Sequence, residues 1–292
     1  MTKEQIVLQL RLDLEARDLS ASTIKKYTSA VRAFQDYFNL TADKIREKEI
    51  MTFQRYLLVE KGLQPVSIND YNSAFRFLYG VTLNAPLNYL LVPKLKFNRR
   101  IPKLFTREEI ARIIDSEQEL DKKVMFMLAY GSGLRRSEIT NLKVSDIESD
   151  KMRILIRNGK GNRDRYAILP HSTLIVLRKY WLAFRPTDWL FVAPRKGGKY
   201  SGRTLYDAFK AALKRSGVTT SGALHLLRHC FATHLYEDGN NLLTMKKLLG
   251  HARISTTAWY TQIADSHLGN LKSPIDSLPL HDEQPQTVNV DA

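Results

Sequence analysis

The stretch LVPKLKFNRRIPKL, from Leu91 to Leu104, limits what this chain can fold into more than any other feature. Pro93 and Pro102 discourage regular structure at and just before themselves. Lys94, Lys96, Arg99, Arg100 and Lys103 stand there without one acid. The segment therefore reads as an interdomain linker over residues 93–104. Its length of 292 residues and 43% apolar content give the chain enough material for a core on each side of it.

Before the linker, residues 1–92 read as short amphipathic helices. From Ser22 to Phe38 the apolar set Ile24, Tyr27, Val31, Phe34 and Phe38 recurs at three- and four-residue steps, with Ser22 placed to cap the start. A second stretch runs through Ile45, Ile50, Phe53, Tyr56 and Leu57 to Gly62. A third begins near Ser67 and carries Ile68, Tyr71, Phe75 and Leu78. Aromatic residues at this spacing belong to a core, which leaves the polar faces for other contacts.

After the linker, Thr106-Arg107-Glu108-Glu109 has the spacing of a capping box. Helical patterning follows over 122–130 and again over 203–215, 225–237 and 241–249. One clear β signal interrupts it: MRILIR, the turn NGKGNRD and RYAIL, between Met152 and Leu169, predict a hairpin. Trp189 to Val192 is a candidate third strand. The fold class is mainly α, an all-helical N-terminal domain plus a mixed α+β domain over 105–272 with a small antiparallel sheet. Residues 273–292 form an acidic tail that holds Pro and has no element of its own.

The formal charge of +15 is uneven. Residues 1–92 hold 12 basic and 10 acidic side chains, whereas 105–272 hold 28 against 16. Positive charge gathered in the linker and the domain after it suits a polyanion, because Lys and Arg displace the counterions condensed on a nucleic acid. A basic protein kept soluble by its charge would show the same balance, and charge alone does not separate DNA from RNA. Cys230 is the only cysteine, so an intrachain disulfide and a multi-cysteine metal site are excluded. No apolar run suggests a membrane span and MTKEQIVLQL lacks a signal-peptide pattern, so the expected location is cytoplasmic, with no membrane partner.

Three short segments carry chemistry: GLRRSE at 133–138, HLLRH at 225–229 and LGHARISTTAWYTQ at 249–262. A planar, permanently charged guanidinium suits charge that develops on a phosphate, which makes Arg135 and Arg228 candidates to hold one. Arg135 also precedes a helix whose backbone N–H groups favour an anion. Tyr260 is a poor nucleophile at a reference pKa near 10, but paired guanidiniums stabilise phenolate character and a base can take its proton. Each of these residues alone would be read as an ion pair or a core side chain. Only their company gives them a role.

Taken together, the motifs resemble the tyrosine recombinase family of Xer and phage or transposon integrase type. NGKGNRDR at 158–165, IPKLFTREEI at 101–110 and an N-terminal segment similar to the family's four-helix core-binding domain extend the likeness over nearly the whole chain. The resemblance implies that the first domain clamps DNA and the second catalyses. It implies six catalytic positions, Arg135, Lys160, His225, Arg228, His251 and the nucleophile Tyr260, with no cofactor and no metal. In such enzymes the arginines clamp the scissile phosphate, the lysine is the acid for the 5′ oxygen, and the histidines assist proton transfer and phosphate binding.

The family's partners would be double-stranded DNA with specific recombination sites and three further copies of the chain, a homo-tetramer on synapsed DNA. Lys94, Lys96, Arg99, Arg100 and Lys103 would then hold phosphates where the linker crosses the duplex, the alternative being a solvated hinge. Cys230 stands where relatives often have serine, Gln262 where many have histidine, and Trp259 directly precedes the tyrosine. Glu138 reads as an orienting or structural group rather than an acid catalyst, and His229 and His234 as packing residues.

Three other readings compete. His225 and His229 lie four apart and could share a zinc ion in a metal-dependent nuclease, although an arginine beside a dication is repelled. A DNA-binding factor without catalysis would share the composition but not the six positions. A type IB topoisomerase would use the same phosphotyrosine chemistry as a monomer.

Overall fold

The computed structural model describes residues 1–88, 90, 92–97, 102–157, 164–193, 197–250 and 254–258. The chain divides into two compact units, Met1–Arg100 and Ile101–Ala292.

The first unit is four α-helices, α1 (Lys3–Glu15), α2 (Ala21–Phe38), α3 (Glu47–Val59) and α4 (Pro65–Phe77), with a π-helical turn at Leu78–Thr82 after α4. Thr2 caps α1 in a capping box with Gln5, and Pro65 begins α4 at the position where a missing N–H costs nothing. The cap of α2 is Ser20, not Ser22: its hydroxyl accepts from the Thr23 N–H, and Ser22 already lies inside the first turn. Ile6, Leu10, Leu14, Val31, Phe34, Phe53, Phe75 and Tyr79 fill the core. The Phe34 and Phe75 rings meet at 4.5 Å between centroids. The Tyr79 hydroxyl lies 2.8 Å from the carbonyl oxygens of both Ala42 and Ile45, which satisfies it inside that core.

The beginning of the basic segment is part of this unit. Asn69 on α4 acts as a surrogate strand: its Nδ2 donates to the Leu95 carbonyl and its Oδ1 accepts from the Leu95 N–H, each at 2.9 Å. Arg76 donates to the Val92 carbonyl at 3.3 Å, and Val92 is buried. Lys94 and Lys96 flank the pinned Leu95 and both are exposed.

The second unit is mainly helical around one small sheet. Its elements are α5 (Arg107–Asp115), α6 (Leu120–Gly131), α7 (Arg136–Thr140), β1 (Ile147–Glu148), β2 (Arg153–Ile156), β3 (Arg165–Ile168), α8 (His171–Phe184), α9 (Gly202–Arg215), α10 (Leu224–Glu237), α11 (Leu242–Leu249) and α12 (Ile254–Ala258). Thr106 and Glu109 form the expected capping box of α5, with reciprocal bonds of 3.0 and 3.2 Å. The two strands of the expected hairpin pair antiparallel, with Arg153 opposite Ile168 and Ile156 opposite Arg165, while residues 158–163 of its turn lie outside the described residues. Ile154, Ile156 and Ala167 face the core while Tyr166 and Ile168 stay exposed.

The third strand is Ile147–Glu148, antiparallel to β2. Among the described residues Trp189 and Val192 make isolated bridges, to Lys143 and Lys199, rather than a third strand of the sheet, and Lys143 also pairs with Asp188 at 2.9 Å. Within the unit, α6 and α10 pack together through Val124, Leu128, Leu227 and their neighbours, and this packing brings the two arginine motifs to one place. Among the described residues no helix is long and apolar enough to cross a membrane.

Candidate active site

The site begins with a turn that only glycine fits. α6 ends at Gly131 and the chain continues through Ser132 and Gly133, and Gly133 sits at φ +62°, where a Cβ would lie 2.3 Å from Phe231 of α10. That close approach leaves the Gly133 carbonyl facing α10. Arg228 Nη1 donates to it at 2.5 Å.

Arg135 follows as the N-cap residue of α7. The anion at this helix start is internal: Glu138 accepts from the Arg135 N–H through Oε2 and from Arg135 Nη1 through Oε1, both at 2.7 Å. The same carboxylate accepts a two-pronged bond from Arg165, Nη1 to Oε1 at 3.0 Å and Nη2 to Oε2 at 2.9 Å. Arg228 Nη1 is 3.6 Å from Oε2. One buried acid thus gathers guanidiniums from α7, β3 and α10. Burial pushes the Glu138 carboxyl upward, yet Arg165 and Arg135 outweigh it and hold its pKa below the usual 4.5.

Among the described residues Arg228 is the largest fully buried side chain, 2% exposed. A buried charge requires partners, and it has Glu138, the Gly133 carbonyl and the Leu249 carbonyl, the last accepting from Nη2 at 2.6 Å. His225 lies one turn before it on α10 and is exposed, whereas His229 is half-buried. Their rings meet edge to face with centroids 4.7 Å apart. Desolvation by the surrounding protein, then the charge of Arg228 and Arg135, lowers the His225 pKa below 6.5. Burial, then His225 and Arg228, lowers that of His229 to about 4. Both imidazoles are therefore neutral near pH 7, and a neutral ring can accept a proton or donate a hydrogen bond.

Three expected catalytic residues, Arg135, His225 and Arg228, are thus brought together from segments some ninety positions apart. Lys160, His251 and Tyr260 lie outside the described residues, as do Arg99, Arg100 and the tail 273–292. Lys94, Lys96 and Lys103 are exposed. His234 packs as read, its Nδ1 3.0 Å from the Tyr130 hydroxyl. Cys230 is buried, its thiol pushed up to about 11 by desolvation, so it serves as a small core residue. Among the described residues no group of three or more His, Cys, Asp or Glu side chains could hold a metal ion. Sequence reasoning missed Arg165, whose alternating place on a short strand looks like any solvated arginine.

Residues 103–267 match the model of the phage integrase family, and residues 6–89 match that of the phage integrase N-terminal SAM-like domain. The chain belongs to the tyrosine recombinase family. This recombinase is 34% identical over 285 residues to a putative integrase/recombinase of Sinorhizobium fredii, covering 95% of this chain and 92% of that one. It is 31% identical to the tyrosine recombinase XerA of Pyrococcus horikoshii, covering 87% and 88%. The lambda integrase in a tetramer bound to a Holliday junction superposes with a TM-score of 0.72 at 19% identity, over 89% of this chain and 77% of that one, which establishes a shared fold. The recombinase is accordingly a tyrosine-type site-specific enzyme, mainly helical with a small antiparallel sheet.

Proposed function

We propose that this recombinase cuts and rejoins DNA at specific sites through a 3′-phosphotyrosyl intermediate on Tyr260. The Tyr260 oxygen attacks the scissile phosphorus, a P–O bond to tyrosine forms, and the bond to the 5′ oxygen breaks. The tyrosine proton passes to a neutral histidine, His225 or His251, and Lys160 protonates the departing 5′ oxygen. Attack by another strand's 5′ hydroxyl then reverses each transfer and frees the tyrosine, so the bond energy is kept and no ATP or metal is consumed. Arg135 and Arg228 stabilise charge on the nonbridging oxygens.

The observation that carries this reading is the convergence of Arg135 and Arg228 on Glu138 beside a neutral His225. An isolated DNA-binding module gains nothing by burying an arginine there. The exposed Lys94, Lys96 and Lys103, with Arg99 and Arg100, hold phosphates between a DNA-clamping first domain (1–92) and a catalytic domain (105–272). Four copies act on two synapsed sites in the cytoplasm and exchange strands pairwise through a four-way junction. A relative seen as a tetramer on a Holliday junction supports that assembly.

Tyr260→Phe tests the proposal. On a nicked suicide duplex made from DNA flanking the encoding gene, the variant binds as wild type does but forms no adduct that survives SDS, and wild-type cleavage persists in EDTA. An adduct from the Phe variant, or a strict metal requirement, refutes the mechanism. Relaxation of a plasmid that lacks any such site would favour the topoisomerase reading.

A further inference from the structure

We infer that Arg165 is a positioning residue of the active centre, one that holds the end of α11, from which residues 251–260 depart, in register with Arg135 and Arg228. The inference rests on the role proposed above for those arginines and Tyr260. Arg165 is the first residue of β3 and its side chain is 10% exposed. While its two terminal nitrogens grip both oxygens of Glu138, its Nε donates to the Leu248 carbonyl at 3.0 Å. The next carbonyl, that of Leu249, accepts from Arg228. Two guanidiniums joined through one carboxylate therefore hold consecutive carbonyls at the C-terminus of α11.

The last carbonyls of a helix have no donor within it, and a cation there also complements the helix dipole. Lysine could supply the charge. It could not reach a carboxylate with two prongs and a carbonyl with a third, which takes the fixed fork of a guanidinium. Gly250 completes the arrangement at φ +62°, where a Cβ would stand 2.6 Å from Arg165 Cδ and 2.9 Å from its Nε. The chain thus leaves α11 directly against the arginine stem. The backbone leading to His251 and Tyr260 starts from a point fixed on the acid that also fixes Arg135, and a displaced nucleophile is costly because reaction requires a near-attack geometry.

Two variants of the full chain test this. Arg165→Lys keeps the charge and removes the fork, whereas Gly250→Ala keeps Arg165 and crowds its stem. Without DNA, backbone amides in Leu242–Leu249 should exchange hydrogen about 10-fold faster or more in each variant, with α5 and α6 unchanged. On the nicked duplex, single-turnover adduct formation should fall by roughly 10- to 100-fold while the Kd for the same duplex moves less than about 3-fold. The double variant should lose less than the product of the two single losses. A residue that only stabilises the fold would weaken binding and cleavage together. Unchanged exchange in α11, or raised exchange with unimpaired cleavage in Arg165→Lys, overturns the inference. If the wild type itself forms no adduct, the Tyr260 reading fails, and the exchange measurement still decides whether Arg165 holds α11.

Discussion

Replacing Glu138 by glutamine keeps the shape of the hub and removes its charge, so the cost can be worked from the hydrogen bonds. Oε1 accepts from Arg135 Nη1 and Arg165 Nη1, and Oε2 accepts from the Arg135 N–H and Arg165 Nη2. Whichever way the amide turns, its NH2 faces two donors and two bonds disappear. Hydrogen bonds to a charged group contribute about 1.5–3 kcal/mol each, and breaking a buried pair costs about 3–5 kcal/mol, so a loss of about 3–5 kcal/mol is expected. In a unit of this size each kcal/mol moves Tm by roughly 2–4 °C, which places the melting of the second unit about 10 °C lower.

Thermal melts of the full chain at pH 7 measure it. Because the folded carboxyl lies below its ordinary 4.5, its stabilisation is fully present above that value and is lost as pH falls through the lower folded value. The gap between wild type and variant should therefore close in acid. Duplex DNA should restore part of the lost Tm by supplying an anion to Arg135, the most accessible of the guanidiniums left without their acid. A Tm within about 2 °C of wild type at pH 7 would refute the hub as an energetic centre.

Two further outcomes are expected. His229 favours its neutral form in the fold, with a folded pKa of about 4 against 6.5 unfolded, so stability is intact above pH 6.5 and falls as pH drops toward 4. Unfolding free energies extrapolated from urea melts at pH 7 and pH 5 should separate by on the order of 1 kcal/mol in wild type, once solvent screening of the half-buried ring is allowed for, and by less in His229→Gln. Neutralising Arg99 and Arg100 together should lower the slope of log affinity against log salt by roughly 0.9 for each phosphate left without its cation, with little change in site preference, and an unchanged slope would make the segment a plain hinge.

What could be read from the sequence was whatever depends on local pattern. The 3.6-residue repeats of α2 and α4, the Thr106 capping box and the alternation of β2 and β3 all act within a few residues, and each element formed where the pattern put it. The misplaced cap of α2 shows the resolution of such reasoning: Ser20 and Ser22 are equally good caps, and only the backbone of Ala21 decides between them. A two-residue strand such as Ile147–Glu148 is too short to show a period. The Asn69 bonds to Leu95 and the Arg165 bonds to Glu138 join positions 26 and 27 apart through side-chain geometry that no periodicity encodes. At the candidate site, motif spacing singled out Arg135, His225 and Arg228, and the structure brings these three together. Glu138 was legible as an orienting or structural group, but the sequence could not reveal that it binds two of them together with Arg165, which joins it from 27 positions away.

The buried thiol of Cys230 has a practical corollary. With its pKa pushed to about 11, on the order of one molecule in 10⁴ carries a thiolate at pH 7, and burial shields even that fraction from reagents. Cys230 should therefore react slowly with maleimides and in disulfide exchange while the chain is folded. A cysteine introduced at exposed Lys94 or Ile254 would be its one addressable sulfur. Fluorophores placed at such sites could follow the two units through a reaction cycle without first removing the native cysteine, and labelling of unmutated protein would report unfolding alone.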